Sequence, residues 1–418
     1  MNFKPNPLLY GANERFCSAF RLAVNTRFEV DAALLAAAVE KAAKRYPYFT
    51  VRPVREGDNL ILQSNPLPIP VFSDDRAVTL GTEESNGHLL TLGCSGKAIY
   101  LDASHYIADG MGITPFLKTV LYLYVAEAFG NDGIELDEIQ MPEDSVAEGE
   151  FAYPFPSAPV EVDEIALPRT APREVYELDP DAFDKDGLYS YYLRIPQKAM
   201  MSKAHPADGS PISFLTVMIY RALCSLDSEI RLPVVSHVQH QYRAAVSAPL
   251  SHDSLVCYVP VTFYERAKGQ SIERQNTVVR GQVILGSERD ADLVAVNRLI
   301  AAFPSDGSFE EKRKAMAEYA SQSIYGKTFG ISYVGKLDWS GLEQYIDEVY
   351  AYIGEKHTSN MLLMEVMAVG DDFSISFMQS GKGERYLRAF IDQMSECDIP
   401  VRVVGEGRYN LCDTRLPE

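Results

Sequence analysis

Residues 103–112 read ASHYIADGMG, with His105, Asp109, Gly110 and Gly112 inside one short stretch. What stands on either side of it decides how the chain is read. Before it, KAIYLDAS alternates: Ile99, Leu101 and Ala103 share one face, and Tyr100, Asp102 and Ser104 the other. That period of two is a β-strand. After it, Thr114 and Pro115 form a cap-and-proline pair that predicts a helix over PFLKTVLYLYVAEAF. Leu117, Leu121, Tyr124 and Ala128 fall on one stripe of that helix, and Gly130 is its stop. The quoted stretch is therefore a loop between a strand end and a helix start, where chemistry is often carried on a rigid frame.

Taken by themselves, these residue types leave several chemistries open. An imidazole with an ordinary pKa near 6.5 is partly neutral at neutral pH and can act as a general base. His105 and Asp109 are also two metal-ligand types, but no further His, Cys or Glu lies close by in sequence to complete a set. Asp102 and His105 with a serine suggest a hydrolase triad, without the G-x-S-x-G elbow that accompanies one. His237 and His240, three residues apart near Arg243, form a second candidate cluster, read more simply as polar residues at a strand end.

Working outward, FCSAFRLAV reads as a strand and VDAALLAAAVEKAAKRYP as a helix. Asp31 is its N-cap, and Lys41, Lys44 and Arg45 sit at the end where the helix dipole is negative. FTVRPV and NLILQ are short strands around the turn EGD, and LLTLGC is another strand. From about 138 to 187 the composition turns proline-rich and acidic, with little periodicity, which predicts a crossover. Strands and helices then resume: LYSYYLRI, a short helix in IPQKAMMSKAH, and a long one in PISFLTVMIYRALCSL behind the cap Ser210–Pro211. IRLPVVSHVQHQYRAA reads as a buried strand running into a polar loop; LVCYVPVTF, FGISYVGKL, MLLMEVMAV and DFSISFMQ read as strands, and SFEEKRKAMAEYASQS and GERYLRAFIDQMSE as helices. At 418 residues the chain exceeds what one hydrophobic core sustains. The expectation is an α/β protein of two halves, residues 1–140 and 188–418, joined by a linker over 141–187.

Composition narrows the function. The apolar share of 46% and charged share of 23% are those of a globular protein. A formal charge of −19 argues against nucleic acid and against an anionic membrane surface as partners. Six cysteines at 17, 94, 224, 257, 397 and 412 form no C-x-x-C pair, as expected of free thiols in a reducing compartment. With no signal peptide and no membrane-spanning run in the sequence, the expectation is a cytoplasmic protein.

SHYIADGMG resembles the H-x-x-x-D-G signature of the coenzyme A-dependent acyltransferase superfamily. That superfamily includes chloramphenicol acetyltransferase, plant acyltransferases that use acyl-coenzyme A, bacterial alcohol acetyltransferases and peptide-synthetase condensation domains. KRYPYFTVRPV is similar to the family's helix end and Arg-x-Pro-like turn before a strand. HQYRAAVSAPLSHDSL is similar to its strand-end arginine followed by a proline-leucine loop. The resemblance covers nearly the whole chain. It implies two chloramphenicol acetyltransferase-like subdomains with mixed sheets, a crossover, and an active-site tunnel at their interface.

The same resemblance implies transfer of an acyl group from acyl-coenzyme A, as co-substrate rather than bound cofactor, to a hydroxyl or amine on a small molecule. His105 would be the general base and would later protonate the departing thiolate. Asp109 would be structural, paired with Arg243, or failing that Arg21. Gly110 and Gly112 would let the backbone turn tightly under the histidine. Ser332, or next Tyr333, matches the position of an oxyanion-stabilising hydroxyl. Lys327 and Lys336 are candidates for the coenzyme's phosphates, as are Lys312, Arg313 and Lys314, although EEKRK reads more readily as a solvated helix face. No metal is implied. Condensation domains carry a second histidine where this chain has Ser104, which favours coenzyme A chemistry. GKLDWSGLE shares only fragments of the plant enzymes' D-F-G-W-G stretch. The alternative is a non-catalytic relative, or a condensation-like protein served by a carrier protein.

Overall fold

The strand of KAIYLDAS lies in the middle of a sheet and is covered on both faces, with Leu101, Asp102, Ala103 and Ser104 all buried. The computed structural model describes residues 2–13, 19–136, 139–162, 172–184, 187–322, 326–336, 338–353 and 361–417. The first half contains β1 (Asn2–Phe3), β2 (Ala19–Thr26), α1 (Ala32–Ala43), β3 (Val51–Glu56), β4 (Asn59–Ser64), β5 (Val71–Phe72), β6 (Thr79–Leu80), β7 (Leu90–Ser95), β8 (Ala98–Ser104) and α2 (Gly110–Phe129). Among its described residues a long connection carries short 3-10 turns, among them Glu148–Glu150 and Pro180–Ala182. The second half begins with β9 (Leu188–Pro196), α3 (Gln197–Ala204), α4 (Pro211–Leu226), β10 (Val234–Gln241) and β11 (Val256–Phe263). It continues through α5 (Ile272–Gly286), α6 (Arg289–Ala302), α7 (Phe309–Gln322), β12 (Phe329–Lys336) and β13 (Ile346–Tyr352). It closes with β14 (Leu362–Val369), β15 (Asp372–Gln379), α8 (Arg385–Glu396), β16 (Arg402–Tyr409) and β17 (Asp413–Thr414).

Two mixed sheets form the frame. The first has the order β13-β2-β8-β7-β5 and the second β11-β10-β12-β14-β15-β9-β16. β13, although late in the chain, pairs antiparallel with β2 of the first half. β17 pairs with β6. Strands therefore cross the boundaries expected at 140 and 188. Helices cross them too: Leu293, Val296 and Leu299 of α6, with Phe309 and Met316 of α7, join the core of the first half.

Each half has its own apolar core, and the second sheet separates them. On that sheet Phe329 and Ile331 of β12, with Met364, Val366 and Ala368 of β14, belong to the second-half core. The opposite face carries Val334, Met367 and Val369 against the first-half core. Since side chains alternate along a strand, Ser332 and Glu365 share that seam-facing side.

Several expectations are revised. α2 begins at Gly110 with Asp109 as its N-cap, ahead of the Thr114–Pro115 pair, and Pro115 lies inside the helix. Ala128 ends up exposed. α5, α6, β13 and β16 fall in stretches that local patterning did not single out; α5 and α6 are weakly amphipathic and β16 is largely exposed. Phe16, Cys17 and Ser18, expected in the first strand, lie outside the described residues. Among the described residues no single helix is long and apolar enough to cross a membrane.

Candidate active site

β8 ends at Ser104, and His105 is the first residue beyond it. Ser104 is buried, and its hydroxyl accepts a hydrogen bond from Thr414 Oγ1 at 3.1 Å. It anchors the C-terminal segment.

Asp109 is the hub of the loop. Its Oδ1 accepts from the Gly112 N–H and from Arg243 Nη2, each at 2.8 Å, and its Oδ2 accepts from the Leu255 N–H at 3.0 Å. Both members of the ion pair are buried. Arg243 also donates to the carbonyls of Ser251 and Asp253, each at 2.8 Å. One carboxylate thus caps α2 and binds the 251–255 segment of the other half to it. Three protein donors thus share the two oxygens. Arg21 goes elsewhere, to a bidentate pair with Asp102 at 2.8 Å. That pairing also removes Asp102 from any triad with His105.

The two glycines have a different reason from the one expected. Neither adopts a left-handed φ. A Cβ on Gly112 would stand 2.1 Å from the His252 carbonyl oxygen, so the backbone of the second half lies directly against α2. A Cβ on Gly110 would meet Val334 of β12 at ordinary contact distance, 3.6 Å.

The His105 ring is half-buried, with the Phe20 ring edge-on at 5.1 Å between centroids. Its Nδ1 lies 2.9 Å from Ser254 Oγ. The ring also hydrogen-bonds its own backbone carbonyl, which Nδ1 alone can reach. With its proton on Nδ1 the ring donates to that carbonyl, and Nε2 keeps its lone pair. Burial holds the imidazole pKa below the ordinary histidine value, against the opposing influence of the Asp109 charge and that carbonyl. The ring is consequently neutral at neutral pH. Ser254 is positioned by Asn6, which donates to its carbonyl at 3.1 Å, and by Asp253, whose carboxylate accepts its N–H at 2.6 Å.

Beside the loop lies a small, open cleft lined by Lys4, Asn6, Tyr48, Tyr106, Ile107, Glu150, His252 and Asp253, among others. Arg45 grips Glu150 through two bonds of 2.7 Å. Tyr48 hydroxyl donates to Glu150 at 2.7 Å and lies 2.8 Å from His252 Nδ1. Burial alone raises the Glu150 carboxyl, but its bonds to Arg45 and Tyr48 bring it down to about 2. Burial pushes His252 down to about 4 and Asp253 up to about 7. Glu150 thus pins the crossover to the first half beside the motif.

The remaining candidates are placed as follows. Ser332 faces the seam and donates to Glu365, so its hydroxyl is engaged, whereas Tyr333 turns to the second-half core near Phe373. Lys327 is half-buried and lies close enough to His237 to lower its pKa further, after burial, to about 3. Lys336 ends β12, and its side chain lies outside the described residues. Lys312 is buried and donates to the Asp58 carbonyl and to Asn59 Oδ1; it anchors α7 on the β3–β4 hairpin. Arg313 reaches the Ala12 carbonyl, and Lys314 pairs loosely with Glu318 on the surface. His237 stacks on Tyr258 while His240 turns to Asp292, so the two form no shared site. Among the described residues no group of three or more metal-ligating side chains is assembled. Ser254 and Glu365 were not foreseen: one is an ordinary serine in a polar loop, the other a single acid in an apolar strand.

No protein-family model matches the sequence, and no curated protein matches it. Solved structures do. TRI101 of F. sporotrichioides, complexed with coenzyme A and T-2, superimposes with a TM-score of 0.62 at 10% identity, covering 97% of this chain and 100% of that one. This chain shares its fold. TRI101 of F. graminearum, complexed with coenzyme A and T-2 mycotoxin, gives 0.58 at 12% identity over 96% and 99% of the two chains. The condensation domain of the monacolin K polyketide synthase MokA gives 0.53 at 12% identity over 95% and 96%. The two-lobed mixed α/β fold of coenzyme A-dependent acyltransferases and condensation domains, expected from the motif, is the fold of this protein.

Proposed function

We propose that this protein transfers an acyl group from acyl-coenzyme A to a hydroxyl or amine of a small-molecule acceptor. The observation that carries this reading is His105 itself. It stands at the seam of the halves, neutral by burial, with Nδ1 held by Ser254 of the second half and Nε2 left basic. Nε2 removes the acceptor's proton as its oxygen or nitrogen attacks the thioester carbonyl. Collapse of the tetrahedral adduct breaks the C–S bond, and the imidazolium returns the proton to the thiolate. No acyl-enzyme forms, so holding both substrates together supplies much of the rate. Asp109 keeps the loop in shape and takes no part in proton transfer. Lys327 and Lys336 remain the proposed contacts for the coenzyme's phosphates.

The test is thiol release from acetyl-coenzyme A with a panel of alcohols and amines. His105→Ala lowers kcat by at least about a hundredfold, the scale of general-base catalysis. Equal rates for wild type and variant across the panel overturn the proposal. Fold likeness to a condensation domain motivates one further arm, in which an acylated carrier protein replaces the coenzyme. Turnover with that donor alone assigns the carrier-protein reaction instead.

A further inference from the structure

The seam-facing side of the second sheet carries a polar row across three neighbouring strands. Ser332 on β12 pairs in register with Glu365 on β14, and Glu365 with Ser376 on β15. Leu363 and Met367 flank Glu365 on the same face, and both belong to apolar clusters. A carboxyl in such surroundings needs compensation. The Ser332 hydroxyl supplies one hydrogen bond, and among the described residues no cation faces it. Ser376 is completely buried, and among the described residues its hydroxyl has no partner. Packing alone would be served better by valine or alanine at these positions.

The row lies near the chemistry. Val334, two positions along the same face from Ser332, lies where a Cβ on Gly110, the first residue of α2, would meet it at ordinary contact distance. Two strand residues span roughly 6.6 Å. Ser332 is only half-buried, so the seam is not sealed there.

We propose that Ser332, Glu365 and Ser376 form a specificity subsite for the acceptor, binding a hydrogen-bond donor on it, a hydroxyl or an ammonium remote from the group that is acylated. This deepens, and rests on, the transferase reading above. Burial holds the Glu365 carboxyl up at about 7, with the Ser332 bond pulling it down. An ammonium group would draw out the ionised form, while a hydroxyl can bond to either.

The experiment compares three acceptors of equal chain length: a mono-alcohol, the matching diol and the matching amino alcohol, with acetyl-coenzyme A as donor. The subsite requires wild type to favour a bifunctional acceptor in kcat/KM by about tenfold or more, the scale of one hydrogen bond to a charged group. Glu365→Gln and Ser376→Ala each erase that preference, and the ranking of diol and amino alcohol tells a neutral donor from a cationic one. Equal loss on all three acceptors, or an undiminished preference, overturns the subsite; Ser376→Ala decides if Glu365→Gln does not fold. Should His105→Ala match wild type, the transferase reading fails separately. Thermal stabilisation of the full chain by the same three compounds then decides: stabilisation by the diol or amino alcohol that Glu365→Gln abolishes keeps the subsite, and its absence or indifference to the substitution overturns it.

Discussion

In the proposed reaction one nitrogen of His105 stays basic while the other is held. Burial keeps the ring neutral, and Ser254 with the ring's own carbonyl fixes the proton on Nδ1. Because the active form is neutral and the pKa lies below the ordinary histidine value, kcat/KM rises with pH on the acidic side and is flat through neutrality. A pH–rate profile with its midpoint above the ordinary histidine value would contradict this assignment. Ser254→Ala removes an acceptor for Nδ1–H, which destabilises the imidazolium. We expect kcat to fall about tenfold and the acidic limb to move to lower pH, with the KM for coenzyme little changed. An unmoved limb at full kcat would show that Ser254 does not orient the ring. The histidine was legible in the sequence through its motif. Its partner was not, since Ser254 lies 149 residues away and nothing local marks it.

The start of α2 shows how a tertiary contact outranks a local signal. Thr114–Pro115 has the composition of a helix opening, yet Thr114 donates to the Gly110 carbonyl from inside the helix. Asp109 caps instead, because its carboxylate also meets the Leu255 amide and Arg243. Asp109→Ala leaves Arg243 buried and unpaired, a loss of about 3–5 kcal/mol that thermal or denaturant unfolding will read. A change below about 1 kcal/mol would show that the pair is not needed to hold the segment. Gly112→Ala tests the same junction by steric means. Its Cβ would collide with the His252 backbone, so the start of α2 must move away from the 251–255 segment. Stability and thiol release should fall together, and a fully active, fully stable variant would refute the close approach. Both glycines were visible in the motif; the reason for Gly112 became visible only when the other half lay against it.

Across the molecule the halves are interlocked rather than strung together. β13 returns to complete the first sheet, β17 pairs with β6, and α6 and α7 contribute to the first-half core. Calorimetry should therefore record one cooperative transition. A fragment of residues 1–140 should not fold, because it lacks the strand beside β2. Two separated transitions, or a folded fragment, would show independent domains.

Period-two and cap patterns determined most strands, the helices α1, α2, α4, α7 and α8, and the position of the motif at the junction of β8 and α2. Such patterns report how each segment is buried against its own neighbours, which is a local property. Only the tertiary structure decided that Ser254 holds the imidazole, that Lys312 is buried, that Ser332 meets Glu365, and that β13 leaves its half for the other sheet. Those contacts join residues far apart in the chain, and their energies depend on desolvation and register that no single segment contains.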